Sequence, residues 1–175
     1  MKKVLYLATL LFCAVFTSCE KEDIGGTAVE SMAGEWYVTV DAADESGNVV
    51  EGFEDLFGLG RIHIATFNTS SNSTNQLIVD DLQNFWGFRV KTNCELNALT
   101  FATNTTENNN LNGDEINVTI SGGKIVKDGG TQNNGSKSDY IEFYVSFSDD
   151  AYPAAYGYKN YKVSGIRYSG LAEND

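Results

Sequence analysis

His63, in Gly60-Arg61-Ile62-His63-Ile64, is the only imidazole in the chain, so any serine-hydrolase chemistry would need it as the general base. No Gly-x-Ser-x-Gly elbow accompanies it, and its parity, opposite to Ile62 and Ile64, turns it toward solvent or a barrel rim. Zinc would find only this histidine, one cysteine on a core parity and carboxylates, a poor ligand set. Asp80-Asp81 and Asp149-Asp150 could offer oxygens to calcium, but neither has an EF-hand spacing, and both read as charged turns bounding strands. No spacing singles out a carboxylate pair for glycoside hydrolysis. Enzymatic chemistry is therefore disfavoured, and no catalytic residue, metal or cofactor is assigned. The segment Tyr152-Pro153-Ala154-Ala155-Tyr156-Gly157-Tyr158-Lys159-Asn160-Tyr161 holds more promise. Its tyrosines, each an apolar face with a polar tip, could stack on sugars, line a portal or plug a barrel end.

The start of the chain says where these residues are carried. Lys2 and Lys3 precede an apolar run from Val4 to Phe16, followed by Thr17-Ser18-Cys19 and Glu20-Lys21-Glu22-Asp23. This is the pattern of a secretory signal, and its apolar run is shorter than the roughly 17–25 residues of a membrane-spanning helix. Thr17-Ser18-Cys19 resembles the bacterial lipobox, with Phe16 in place of the usual aliphatic residue, and implies lipidation of Cys19 by palmitate-type chains. One acyl chain anchors marginally, whereas several on one cysteine hold durably. Lys21-Glu22-Asp23 resembles the lysine-plus-acidic tag of surface-exposed lipoproteins of the Bacteroidetes. The expected organisation is a signal peptide over 1–18, a lipidated N-terminus and flexible tether over 19–31 containing Gly25-Gly26, and a folded domain over 32–175. The expected location is the outer membrane, facing the cell surface, with the periplasmic face as the alternative.

Removing residues 1–18 leaves 157, enough for one domain with a real core. The signal takes two of the twelve basic residues and none of the acidic ones, which leaves ten cations against twenty-four carboxylates, a formal charge of −14. Such a surface repels nucleic acid and anionic headgroups. Of the three cysteines, Cys13 leaves with the signal and Cys19 carries the lipid, so Cys94 has no intramolecular partner.

Alternation with period two dominates the rest and predicts half-buried antiparallel strands. Trp36, Val38 and Val40 share a face, as do Ile62 and Ile64, Leu77 and Val79, Leu99 and Phe101, and Ile141, Phe143, Val145 and Phe147. Trp86, Phe88, Val90, Thr92, Cys94 and Leu96 predict one long strand with Cys94 inward as an inert small hydrophobe. Ser121-Gly122-Gly123-Lys124 predicts a hairpin turn between Ile116–Ile120 and Ile125-Val126. In the last strand Tyr161 and Val163 take one parity and Ile166 and Tyr168 the other, so a bulge is predicted at Gly165. The sum is an all-β domain of eight to nine short strands. A closed antiparallel barrel is favoured over a sandwich because closure removes exposed edges.

Three segments carry a family resemblance: Met32-Ala33-Gly34-Glu35-Trp36-Tyr37-Val38; Val79-Asp80-Asp81-Leu82-Gln83-Asn84-Phe85-Trp86-Gly87-Phe88-Arg89-Val90; and Phe147 through Tyr168, with Tyr152-Pro153-Ala154-Ala155-Tyr156-Gly157 inside it. Together they resemble the Bacteroidetes lipoproteins grouped as lipid-binding putative hydrolases, which implies a lipocalin-like β-barrel over nearly the whole domain. On this basis the leading expectation is a small apolar or amphipathic, lipid-like ligand in a hollow barrel. Its predicted lining is Trp36, Val38, Ile62, Ile64, Trp86, Phe88, Phe101, Phe143 and Val145, with Tyr156 and Tyr158 as further contacts. The alternative is a surface accessory protein that binds glycan or an outer-membrane transporter through exposed aromatics. An esterase using His63 is the third reading.

Overall fold

The computed structural model describes residues 25–104, 110–113 and 115–174. The predicted signal peptide, Cys19 and the first part of the tether lie outside the described residues. The alternating segments form eight strands: β1 (Gly34–Ala43), β2 (Ile62–Asn68), β3 (Gln76–Asp80), β4 (Arg89–Glu95), β5 (Thr100–Ala102), β6 (Val118–Thr131), β7 (Lys137–Phe147) and β8 (Asn160–Arg167). Each pairs antiparallel with the next, and β8 returns to β1, so the sheet closes into a barrel. A single helical turn, α1 (Tyr152–Tyr156), lies between β7 and β8, begun by Pro153 and stopped by Gly157 at φ 81°.

The up-and-down order sorts the connections. Those between β1 and β2, β3 and β4, β5 and β6, and β7 and β8 lie at one end, here the upper. The remaining connections and both termini of the described chain lie at the lower end. Between the ends, Trp36, Val40, Leu77, Val90, Phe143 and Tyr161 are each at most 1% exposed. A cavity able to hold water would leave accessible area on its lining. The barrel is therefore filled by its own side chains, and the expectation of a hollow interior is corrected. Phe101 and Phe143, for example, meet with ring centroids 5.7 Å apart.

Three local expectations also change. Ser121-Gly122-Gly123-Lys124 is not a hairpin turn: β6 runs through it, and the register against β7 shifts between Ser121 and Lys124. Gly122, at φ 60°, makes this a bulge, and Gly123 lies against the carbonyl and ring of Phe101 where no side chain would fit. Gly165 is not a bulge either, because β8 pairs with β1 without a shift, from Trp36–Arg167 to Ala43–Asn160. A Cβ there would strike the Tyr37 carbonyl oxygen and come within 2.6 Å of the Val38 Cα. Glycine permits the close seam, and the unshifted pairing with β1 continues to Arg167. Finally, Trp86 precedes β4 in a loop instead of starting the strand.

The lower end is closed by the N-terminal segment. Val29 and Met32 are fully buried in the core, so the packed part of the chain begins within the segment 19–31. Trp36 donates its indole N–H to Thr66 Oγ1 at 2.9 Å, and Thr66 donates onward to the Met32 carbonyl at 2.6 Å. The Arg167 guanidinium lies 4.4 Å from the centre of the Trp36 ring and donates to the Ala33 carbonyl at 2.7 Å. Lys127 donates to the Ser31 carbonyl at 3.0 Å, and Lys127 and Arg167 both bind Asp139 Oδ2. One carboxylate thus ties two cations that each grip the incoming chain.

Two outcomes follow from this architecture. Gly165→Ala should separate β1 from β8 and cost about 2–3 kcal/mol or more, read as a lowered midpoint in urea. Burial would raise the Asp139 carboxyl, but the Lys127 hydrogen bond, the Asp128 N–H and the charges of Lys127 and Arg167 hold it below the ordinary carboxylate range. A depressed folded pKa contributes stability at neutral pH that is lost as pH falls through the ordinary carboxylate value toward the folded one. Asp139→Asn should therefore cost about 1–2 kcal/mol at pH 7, and its unfolding curve should converge on the wild-type curve below about pH 4.

Candidate functional site

The upper end carries a concentration of rings that the strands alone do not require. Loop 44–61 supplies Phe53 and Phe57, loop 81–88 supplies Phe85 and Trp86, and α1 supplies Tyr152 and Tyr156. These cover Phe147 and Tyr161 at the top of the core. Phe57 is the hub, with ring centroids 5.6 Å from Tyr152, 5.7 Å from Phe85 and 5.6 Å from Tyr161. Trp86 stacks on Phe147 at 4.7 Å with the planes 4° apart. Phe53 approaches Tyr156 and Tyr158 at 6.0 and 6.3 Å. Such ring pairs are each worth about 0.5–1.5 kcal/mol beyond their burial, so the lid is cohesive.

Carboxylates shape the loops that hold these rings. Asp81, fully buried, accepts backbone N–H groups from Gln83 at 2.9 Å, Trp86 at 2.8 Å and Gly87 at 2.7 Å. It thereby folds the loop around itself, with Leu82 and Gln83 at positive φ. Its neighbour Asp80 pairs with Arg89 at 2.6 Å. Asp55 accepts the N–H groups of Leu59 and Gly60, and Asp41 accepts that of Asp55. Asp44 accepts those of Ser46 and Asn48, chiefly the latter, and lies below the ordinary carboxylate range for that reason. Of the aspartate pairs weighed for calcium, Asp80-Asp81 thus anchors a turn, and in the other Asp150 accepts the Tyr152 N–H at 2.9 Å while Asp149 accepts from the Trp86 indole. Among the described residues no group of three or more His, Cys, Asp or Glu side chains is placed to hold a metal.

Beneath the lid lies one polar chain. Tyr161 donates its hydroxyl to Asp150 Oδ2 at 2.6 Å, and the Tyr158 and Tyr161 hydroxyls are 2.7 Å apart. Burial, and then the hydrogen bond to Asp150, push the Tyr161 phenol far upward, so it remains a donor. A cleft of about 530 Å³ opens beside this chain, between Asp44, Glu45 and Ser46 on one side and Pro153, Gly157 and Tyr158 on the other. A second cleft, of about 390 Å³, lies over short β5 between Asn93, Phe101 and Gly123.

The expected ligand contacts separate into groups. Trp36, Val38, Ile62, Ile64, Phe88, Phe101, Phe143 and Val145 are buried core, with Trp36 at the lower end. Trp86 is half-buried in the lid and donates its indole N–H to Asp149 at 3.2 Å. Tyr156 is 53% exposed, and Tyr158 is buried beneath the lid. Cys94 faces the core as expected, and burial raises its thiol. His63 lies on the outer wall, its ring edge-on to Tyr37 at 4.0 Å and to Tyr168 at 4.6 Å. The sequence reading did not assign Phe53, Phe57 and Phe85 to the site. For Phe53 and Phe57 the signal was apolar residues without period inside Glu51-Gly52-Phe53-Glu54-Asp55-Leu56-Phe57-Gly58, which demand cover from elsewhere in the fold.

Residues 21–172 match the family described as lipid-binding putative hydrolase, and the chain belongs to that family. No curated protein matches it. The family description and the closed eight-stranded barrel both fit lipid binding.

The lid geometry is testable through Asp81. Asp81→Ala leaves four N–H groups, those of Gln83, Phe85, Trp86 and Gly87, without their acceptor and should cost about 2–3 kcal/mol. Amide exchange should accelerate at residues 83, 85, 86 and 87 while the β1–β8 seam remains protected.

Proposed function

We propose that this member of the lipid-binding putative hydrolase family is a lipid-anchored envelope protein that takes up a small apolar or amphipathic ligand at the aromatic-lidded upper end of its barrel. The carrying observation is the lid itself. Rings from three connections converge on Phe57 over a core that is already full. A filled core needs a cover, but that cover needs neither a half-buried Trp86 nor Tyr156 half in solvent. The ligand's apolar part replaces ring–ring contacts around Phe57, and its polar end rests in the cleft beside Tyr158. Binding is thus coupled to displacement of lid rings, because the described interior offers no preformed space.

The anchor reading rests on Thr17-Ser18-Cys19 behind the basic and apolar leader, and the surface-facing reading on Lys21-Glu22-Asp23. The outward position of His63 supports binding over hydrolysis: its ring lies between tyrosines on the outer wall, and only its main-chain carbonyl meets the lid loop, where it accepts from Asn84 at 2.8 Å. A second reading uses the outside of the same end. Tyr152 and Tyr156 are 45% and 53% exposed and stack at 5.9 Å, a surface suited to glycan or an outer-membrane partner.

Native mass spectrometry of the form beginning after Cys19, with analysis of its organic extract, should reveal a stoichiometric apolar molecule. Phe57→Ala should weaken its rebinding about tenfold. A clean apo mass with no lipid-induced change in tryptophan fluorescence would overturn the ligand reading. Under the second reading Tyr152→Ala/Tyr156→Ala abolishes retention on glycan or membrane-protein supports, and unchanged retention removes it. Labelled palmitate should enter the full chain in its native host and be absent from Cys19→Ser.

A further inference from the structure

Resting on the ligand site above, we propose that it selects amphiphiles whose polar end donates hydrogen bonds and carries no negative charge, and that it rejects fatty-acid anions. The argument starts from proton bookkeeping beneath the lid. An ionised carboxylate only accepts hydrogen bonds, so in the 2.6 Å contact the proton belongs to Tyr161 and points at Asp150. With that proton committed, the 2.7 Å contact between the hydroxyls must be made by Tyr158 donating to Tyr161. Both hydroxyl protons are spent in one direction, Tyr158 to Tyr161 to Asp150. What the chain offers to an arriving polar group is lone pairs. An alcohol, an acylglycerol hydroxyl or an ammonium can satisfy them, and a carboxylate cannot.

The mouth has the same bias. The cleft beside Tyr158 is walled by Asp44 and Glu45, and Asp44 is held ionised by backbone N–H groups. Lys159 is the cation of that cleft and is exposed to solvent. Glu51, Glu54 and Asp149 stand on the same upper connections. Arg61, the other cation of these connections among the described residues, is turned onto the outer wall, 4.4 Å from the centre of the Tyr37 ring. An anionic head therefore meets like charge on approach and acceptors on arrival.

The test compares one chain length with three ends: monododecanoylglycerol, dodecylamine and dodecanoate. Each is titrated below its micellar concentration at pH 7.5 into the form beginning after Cys19 and followed by tryptophan fluorescence. The neutral and cationic amphiphiles should bind at least tenfold more tightly than dodecanoate. Dodecanoate binding equally or better overturns the selectivity while leaving the site standing. Failure of all three removes the site and the selectivity with it. Asp150→Asn should narrow the ratio several-fold, and the ratio is read instead of the affinity because Asp150 also positions Tyr161. Glu45→Gln/Glu51→Gln changes two exposed side chains outside the core and should narrow the ratio at low salt. Retention of the wild-type ratio in both variants would overturn the proposal.

Discussion

Closure of the sheet between β1 and β8 is the constraint from which the other features follow. The seam runs without a register shift, and at its middle the two backbones approach so closely that only Gly165 fits beside Tyr37 and Val38. Closure gives every strand a partner on both sides, which removes the free first and last strands of an open sheet. It also fixes the interior: side chains of alternating parity converge from all sides, and in an eight-stranded barrel they suffice to fill it. With the wall closed and the middle packed, the two ends are where the fold has freedom, and they are finished in different ways.

The lower end is a polar latch. Asp139 gathers Lys127 and Arg167, and these hold the carbonyls of Ser31 and Ala33 while Val29 and Met32 enter the core. The upper end is an aromatic cover whose rings meet in stacked, tilted and edge-on pairs and whose loops are fixed from below by aspartates. The contrast bears on function. Charge-assisted bonds with a fixed partner set are costly to break one at a time. Ring–ring contacts are broad and interchangeable, so a ligand that supplies apolar surface can substitute for them. The latch suits a permanent attachment of the chain, and the cover suits exchange.

Much of the wall was legible in the sequence because a strand with one buried face writes its burial as alternation. β1 and β7 follow their predicted parities residue by residue. Misreadings arose at glycines, where one residue type serves several geometries. Gly122-Gly123 reads equally as a hairpin turn or a bulge, and only the pairing of β6 with β7 on both sides decides. Gly165 marks a close approach, which no local pattern distinguishes from a bulge. The lid was the least legible part. Phe53, Phe57 and Phe85 sit in aperiodic loops far apart in sequence, and nothing local announces that they meet. Asp81 looked like a charged turn, which it is, but its burial and its role as an acceptor for a whole loop are tertiary facts.

The same seam orders events in time. Its two strands lie at opposite ends of the domain, whereas every other ladder joins neighbours in the sequence. Local hairpins can form as soon as their residues are available, but the cylinder cannot close until β8 exists. Until then β1 is an open edge, and Trp36 lacks the Arg167 that covers its ring. A growing or translocating chain therefore carries its most exposed surface first and its remedy last, and any factor that shields this barrel in transit would be expected to act on the segment around β1.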